Sequence, residues 1–247
     1  MSKVALVTGS AIGIGRAIII ELAKSGYDCV INYYSSENEA YELNDLIRQY
    51  NVRSLVIKCD VSCEEEVNKM FDTIEESLGG VDILVNNAAV DLPNIFNYKN
   101  VSDFRKTLDV NLIGPYLTSK RCKKHMIDNK WGRIINISST NGINTYYPMG
   151  LEYDASKAAL NSLTHNLAIE FAPYVTVNAI APGLIETENE IKDYDDEFMA
   201  MELDKILVRR IGKPEEVAKL VKFLSSDDAS YINNSIIRID GGQYSSN

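Results

Sequence analysis

Histidine and cysteine are scarce in this chain, with two and four among 247 residues. Cys29, Cys59, Cys63 and Cys122 form no C-x-x-C pair and no zinc-like spacing. That argues against a zinc ribbon and against a disulfide framework, and free, mostly buried thiols in a reducing compartment are expected. His125 and His165 fall in helical segments away from every motif described below, so the sequence predicts no metal site. Positive charge is also short: 25 Lys and Arg face 35 Asp and Glu, a net charge of −10. Such a balance disfavours nucleic acid and anionic membranes as partners, although it leaves room for a local basic pocket around a small substrate. Long apolar runs are missing too. The opening MSKVALVTGS holds no run of signal-peptide length, and nothing approaches the roughly 20 residues of a membrane span. A soluble, cytoplasmic protein is the expectation. With no linker, repeat or low-complexity tract, one domain over 1–247 is expected.

What is present is alternation. KVALVT (3–8), DCVINYY (28–34), SLVIKCDV (54–61), VDILVNNA (81–88), GRIINISS (132–139), VTVNAIAP (175–182) and SIIRID (235–240) read as buried strands. Between them, 14–26, 36–50, 63–79, about 102–129, about 152–172 and 213–226 carry helical spacing, with glycine stops, acidic first turns and a proline near one start. Strands alternating with helices predict an α/β fold: a single-domain, Rossmann-type, doubly wound parallel sheet with helices on both faces. The irregular stretch is the acidic 183–205, GLIETENEIKDYDDEFMAMELDK. Placed just after a strand end, it reads either as a substrate lid or as a solvated helical face.

Two short patterns carry chemistry. TGSAIGIG (8–15), between the first strand and the first helix, spaces its glycines as G-x-x-x-G-x-G. Glycines there permit a tight turn and close backbone approach to a diphosphate, and the following helix offers free N–H groups and a positive dipole end. The second pattern is Tyr-x-x-x-Lys, which occurs twice: Tyr153 with Lys157, and Tyr116 with Lys120. With fourteen tyrosines in the chain, roughly one copy arises by chance. Tyr153 opens a helix soon after a strand that ends in ISS, and ligands of doubly wound sheets bind outside such strand ends. Tyr116 has no such neighbour, so Tyr116–Lys120 is read as the coincidence.

Several separate phrases in one order, TGSAIGIG, CDV (59–61), NNAA (86–89), Asn111, ISS (137–139), YDASK (153–157), NAIAPGLIET (178–187) and IRIDGGQ, resemble the classical short-chain dehydrogenase/reductase family along nearly the whole chain. The resemblance implies an NAD(P)-dependent oxidoreductase whose catalytic residues are Asn111, Ser139, Tyr153 and Lys157. Tyr153 would donate the proton, Lys157 would tune it and bond the ribose, Ser139 would polarise the carbonyl, and Asn111 would hold a relay water. The implied cofactor contacts are Gly9, Ser10, Ile12, Gly13, Ile14 and Gly15 in the loop, and Asp60 and Val61 at the adenine. Asn86, Asn87 and Ala88 would lie at the ribose, and Pro182, Gly183, Ile185 and Thr187 at the nicotinamide and diphosphate. Ala89 departs from the glycine that usually follows NNA.

At the end of the second strand, INYYSSEN carries Tyr33 and Tyr34 where an NAD-selecting acid would stand, with the hydroxyls of Ser35 and Ser36 offered to a phosphate and Glu37 soon after. NADP(H) is therefore the preferred cofactor, with NAD(H) also used. Phrases such as LVRRIGKPEEVAKLVKFLSS most resemble 3-oxoacyl-acyl-carrier-protein reductases, and sugar, polyol and steroid dehydrogenases of the family share them. A cofactor-binding regulator without turnover is the alternative from another class. Tyr174 stands where such reductases often have a basic residue, while Lys123, Lys124 and Lys130 offer another basic patch for an acidic carrier. YYPMG (146–150) reads as a substrate wall or as a packed loop. The resemblance also implies a homotetramer built on the helices near 102–129 and 152–172 and on the late strand SIIRID.

Overall fold

The computed structural model describes residues 2–144, 146–147, 149–187 and 195–244. Seven parallel strands form one sheet: β1 (Val4–Val7), β2 (Asp28–Tyr33), β3 (Ser54–Lys58), β4 (Ile83–Asn86), β5 (Gly132–Ile137), β6 (Val175–Pro182) and β7 (Ile236–Ile239). Their spatial order is β3-β2-β1-β4-β5-β6-β7, so the direction of winding reverses between β1 and β4. Helices cover both faces, as strand–helix alternation predicts. In β1 the side chains alternate between two cores: Ala5 and Val7 belong to one, Val4 and Leu6 to the other. Helices α1 (Gly13–Lys24), α2 (Glu37–Ile47) and α8 (Pro214–Ser225) bury Ile18, Leu43 and Val221 in the first core. Helices α3 (Glu64–Leu78), α5 (Gly114–Asp128) and α6 (Leu151–Glu170) bury Phe71, Met126 and Leu167 in the second. Each such side chain contributes about 1.5–3 kcal/mol by leaving water.

The structure departs from the sequence reading at two places. First, the strands end early. β4 stops at Asn86 and β5 at Ile137. Asn87, Ala88, Ser138 and Ser139 lie beyond the carboxyl edge of the sheet, where a site would be built.

Second, the helix expected over about 102–129 is broken. Helix α4 (Val101–Leu108) runs into a π-helical turn at Asp109–Ile113 before α5 begins. The cause is Pro115, in the first turn of α5. It lacks the N–H that would reach Asn111, and its ring clashes with the carbonyl four residues back. The Gly114 N–H donates to Asp109, five residues back, which widens the turn.

Within 183–205 the helical-face reading holds in part: α7 spans Asp196–Asp204 and buries no residue, capped by the Asp195 carboxylate at the Phe198 N–H. The lid expectation for 188–194 lies outside the described residues. Among the described residues no helix is long and apolar enough to cross a membrane.

Candidate active site

The carboxyl ends of β1 to β4 open onto a cavity of about 910 Å³ at the point where the strand order reverses. Crevices at that place take ligands because loops diverge there on both sides of the sheet. The glycine loop forms the floor. Gly9 has φ +60°, and a Cβ added there would stand 2.9 Å from Ala88 Cα. Gly15 is required by contact alone: its Cβ would meet Asn87 Nδ2 and Gly9 O at 2.6 Å.

Hydrogen bonds fix the loop in this pose. Thr8 Oγ1 accepts from the N–H groups of Asn87 and Ala88, both at 3.0 Å. Asn87 Nδ2 donates back to Thr8 O and Gly9 O, again at 3.0 Å. On the other side, the Gly9 N–H donates to Asn32 Oδ1 at 3.0 Å, and Asn32 Nδ2 donates to Cys59 O at 3.1 Å. The first turn of α1 carries no acid and Ile12 caps no N–H with its side chain, so the positive helix end is open to a diphosphate. A backbone cradle that a single Cβ would fill, at a bare helix N-terminus, fits a dinucleotide.

Of the residues expected at the cofactor, Gly9, Ile12, Gly13, Ile14, Tyr34, Ser35, Asp60, Val61, Asn87, Ala88 and Thr187 line this cavity. Ser10 does not: it is fully buried, and its hydroxyl bonds the backbone of Asn32 behind the loop. Gly15 and the group Pro182, Gly183 and Ile185 also lie off the wall; Gly183 is pressed against Asp240, with 2.7 Å left for a Cβ. Asn86 requires correction as a ribose contact. Its Nδ2 donates to Asn136 at 2.8 Å and its Oδ1 accepts from Thr118 at 2.7 Å. Alternation along β4 turns it into the sheet's buried polar layer, and the next residue takes the wall.

Three features were missed by the sequence reading. Asn32, a polar residue in mid-strand, holds the loop, and only the contact across strands reveals it. Glu37 is tied down, its Oε1 accepting from the buried Tyr33 hydroxyl at 3.1 Å. Arg105 and Lys106 of α4 line the same cavity as Ser35 and Ser36 and make no ion pair among the described residues.

Beyond Ala88 and Val90 lie the four residues expected to be catalytic. The π-turn sets the buried Asn111 against the backbone of Val90: its Oδ1 accepts from Val90 N–H at 2.8 Å, and its Nδ2 donates to Val90 O at 2.9 Å. The same Nδ2 donates to Ser156 Oγ at 3.0 Å, and Ser156 Oγ donates to Tyr153 O at 2.7 Å. Ser139 ends the β5 connection and accepts from the Asn141 N–H at 3.1 Å. That turn is seated on α6, where a Cβ on Gly142 would come within 2.6 Å of the Lys157 backbone. Lys157 is 2% exposed; Nζ donates to Ile137 O at 2.8 Å and lies 5.4 Å from the Tyr153 ring centre. Burial lowers its pKa to about 8, against the opposing charge of Asp91.

The rival pair is built differently. Tyr116 is 46% exposed and Lys120 donates to Glu64 at 3.0 Å, a bond that raises the lysine pKa. Lys123 and Lys124 do not form a free basic patch, since they are paired with Glu170 and Asp128. Lys130 sits 6.0 Å over the Tyr174 ring. His125 bonds Asp82 at 3.0 Å just before β4, at the far end of the sheet from the crevice. Of YYPMG, Tyr146 is largely exposed, and the Tyr147 N–H donates to Asp154 at 3.1 Å.

A family model described as enoyl-(acyl carrier protein) reductase matches residues 9–244. The 3-oxoacyl-[acyl-carrier-protein] reductase FabG of Aquifex aeolicus is 39% identical, covering 98% of this chain and 97% of its own. Among solved structures, the acetoin dehydrogenase YohF of Salmonella typhimurium superposes with a TM-score of 0.88 at 36% identity, over 98% of this chain and 96% of that one. A gluconate 5-dehydrogenase of Burkholderia cenocepacia, solved with NADP and tartrate, gives a TM-score of 0.90 at 30% identity, over 98% and 95% of the two chains. With a glycine-loop crevice and a likeness that runs along nearly the whole chain to enzymes of several substrates, this chain belongs to the short-chain dehydrogenase/reductase family of nicotinamide-dependent oxidoreductases.

Proposed function

We propose that this enzyme reduces a carbonyl, or oxidises the matching alcohol, with Tyr153 as proton donor and Asn111, Ser139 and Lys157 around it. The observation that carries this reading is the environment of Lys157, a buried amine held beside the Tyr153 ring with a pKa of about 8. A tyrosine hydroxyl ordinarily titrates near pH 10. An adjacent ammonium favours its anion and moves it toward working pH, where acid–base transfer is efficient. When bound, the nicotinamide supplies the hydride to the carbonyl carbon, and the carbonyl oxygen takes its proton from Tyr153. Ser139 orients that oxygen, and Asn111 keeps the strand β4 exit in register with α6. The stretch 183–205 acts as a lid. Its ends are anchored, with the Glu186 N–H donating to Gly212 O at 2.8 Å and Lys205 O accepting from the Tyr244 N–H at 3.1 Å.

NADPH is the preferred cofactor in this reading. Glu37 is engaged by Tyr33, while Ser35, Ser36, Arg105 and Lys106 line the cavity. Kinetics with NADPH and NADH at one salt concentration test it, and a clear NADH preference sinks it.

The first substrate class to try is a 3-oxoacyl thioester, on the strength of the 39% identical relative. A small hydroxyketone or polyol is the second, favoured by the neutralised Lys123 and Lys124, which leave no free basic patch there for an acidic carrier. Turnover on a panel of 3-oxoacyl thioesters, ketoses, diketones and ketosteroids decides between them. Inertness to all of them, with NADPH still bound, would instead point to a cofactor-binding regulator. The enzyme is further read as cytoplasmic and as a homotetramer, the assembly being supported by the exposed Ile169 on α6. A monomer mass in light scattering at micromolar protein refutes the assembly.

A further inference from the structure

Among the described residues, the most deeply buried ion pair joins Lys99 to Glu152, with side chains 4% and 0% exposed. The two lie 53 residues apart in sequence. Lys99 directly precedes the cap of α4, and Glu152 sits in the first turn of α6, next to Tyr153. Lys99 Nζ donates to two oxygens, Glu152 Oε1 and the backbone carbonyl of Leu92. The second carboxylate oxygen, Oε2, is buried and has no hydrogen-bond partner among the described residues.

Such a pair is a poor device for stability. Desolvating two charges is costly, and apolar residues of similar volume often hold a fold as well or better. The bare Oε2 adds to the cost. What the pair supplies is a fixed geometry, and the neighbouring bonds show which parts it fixes. Leu92 lies just beyond Val90, whose N–H and C=O are both held by Asn111. Asn111 in turn reaches Tyr153 O through Ser156. Two routes therefore connect segment 90–92 to the turn that carries Tyr153: one through Asn111 and Ser156, the other through Lys99 and Glu152. The Asn94 N–H, donating to Met149 O at 3.1 Å, ties the same segments once more.

We propose that Lys99 and Glu152 are positioning residues, a buried clamp that sets the 90–99 segment against the first turn of α6 and so fixes where the Tyr153 hydroxyl meets the substrate. The inference rests on the reading of Tyr153 as proton donor. The clamp touches no reacting atom. It acts by distance, and a displacement near 1 Å at a reacting group costs up to about 10²-fold in rate.

The test compares wild type, Glu152→Gln and the double variant Lys99→Met/Glu152→Leu on a ketone substrate accepted by wild type. Thermal midpoint, NADPH dissociation constant by fluorescence, kcat and KM are all measured. The double variant should melt within a few degrees of wild type and bind NADPH within about twofold, yet lose about 10- to 100-fold in kcat. Glu152→Gln, which keeps the shape and removes the charge, should lose less in kcat, again at unchanged KM for NADPH. A double variant with wild-type kcat overturns the clamp. Should the double variant fail to bind NADPH, Glu152→Gln decides, and wild-type kcat there overturns the proposal too. A wild type inert on every substrate overturns the reading of Tyr153 and the clamp with it. That outcome is told apart from failure of the clamp alone, in which wild type and variant turn over alike.

Discussion

Tyr153–Lys157 and Tyr116–Lys120 have the same spacing, both on helices, with nitrogen-to-ring distances of 5.4 and 6.0 Å. Their lysines nevertheless shift in opposite directions. Burial pushes Lys157 down to about 8, while a hydrogen bond to the exposed Glu64 pushes Lys120 up. Four-residue spacing sets two side chains on one helical face wherever it occurs. Chemistry depends on what the face is turned toward: one pair faces the end of β5, the other faces solvent and α3.

Removing each hydroxyl separates the two pairs most strongly. Tyr153→Phe should lower turnover by about 10²–10⁴-fold, with NADPH binding little changed, whereas Tyr116→Phe should leave the chemical step alone. Equal losses would mean that the choice of pair is wrong.

Acidity gives the next largest contrast. The Lys157 ammonium is present below a pKa of about 8 and lost above it. For carbonyl reduction, kcat/KM for the cofactor should therefore fall as pH rises through 8, approaching tenfold per unit. A profile flat to pH 9.5 contradicts this. The same shift has a stability consequence. Unfolded, the lysine keeps its proton to its ordinary 10.5; folded, only to about 8. Between those values the unfolded chain binds more protons, so this group's contribution to stability rises with pH and its penalty is fully felt below 8. Lys157→Met should thus abolish most activity, and the stability of wild type relative to this variant should rise as pH goes from about 8 to 10.5; a difference that stays flat over that range would count against the buried ammonium.

At the adenine end, Arg105→Ala/Lys106→Ala removes two exposed cations and should raise KM for NADPH by about 2- to 30-fold, with NADH changed less than twofold. Equal effects on both cofactors would take these residues out of phosphate recognition. The smallest effect belongs to Lys120→Met, which breaks an exposed pair and should move stability by no more than about 1 kcal/mol in a urea melt.

Much of this was legible in the sequence. Continuous apolar runs such as VALV and VTVNAIAP marked the strands because a parallel sheet is buried on both faces. The order of motifs gave the cavity wall at Gly9, Asp60, Asn87 and Thr187. What stayed hidden depends on contacts between distant residues. Nothing local announces that Asn32 holds the glycine loop, that Lys99 finds Glu152, or that α4 brings Arg105 to the same cavity as Ser35. Asn86 was misread because neighbouring asparagines look alike until alternation assigns one inward and one to the crevice. The break at Asn111 did have a local sign, Gly114–Pro115, which the helical periodicity around it outweighed.

The latch between Asn87 and the glycine loop has a consequence for how the protein is made. Asn87 bonds Thr8 and Gly9 across separations of 79 and 78 residues. A ribosome that has released β1, α1, β2 and β3 has already produced every glycine of the loop, but not the amide that holds it. The nucleotide cradle is thus completed by the residue that follows β4 rather than by the stretch that encodes it. A nascent chain cut short before residue 87 would carry the fingerprint of a dinucleotide site without the site itself.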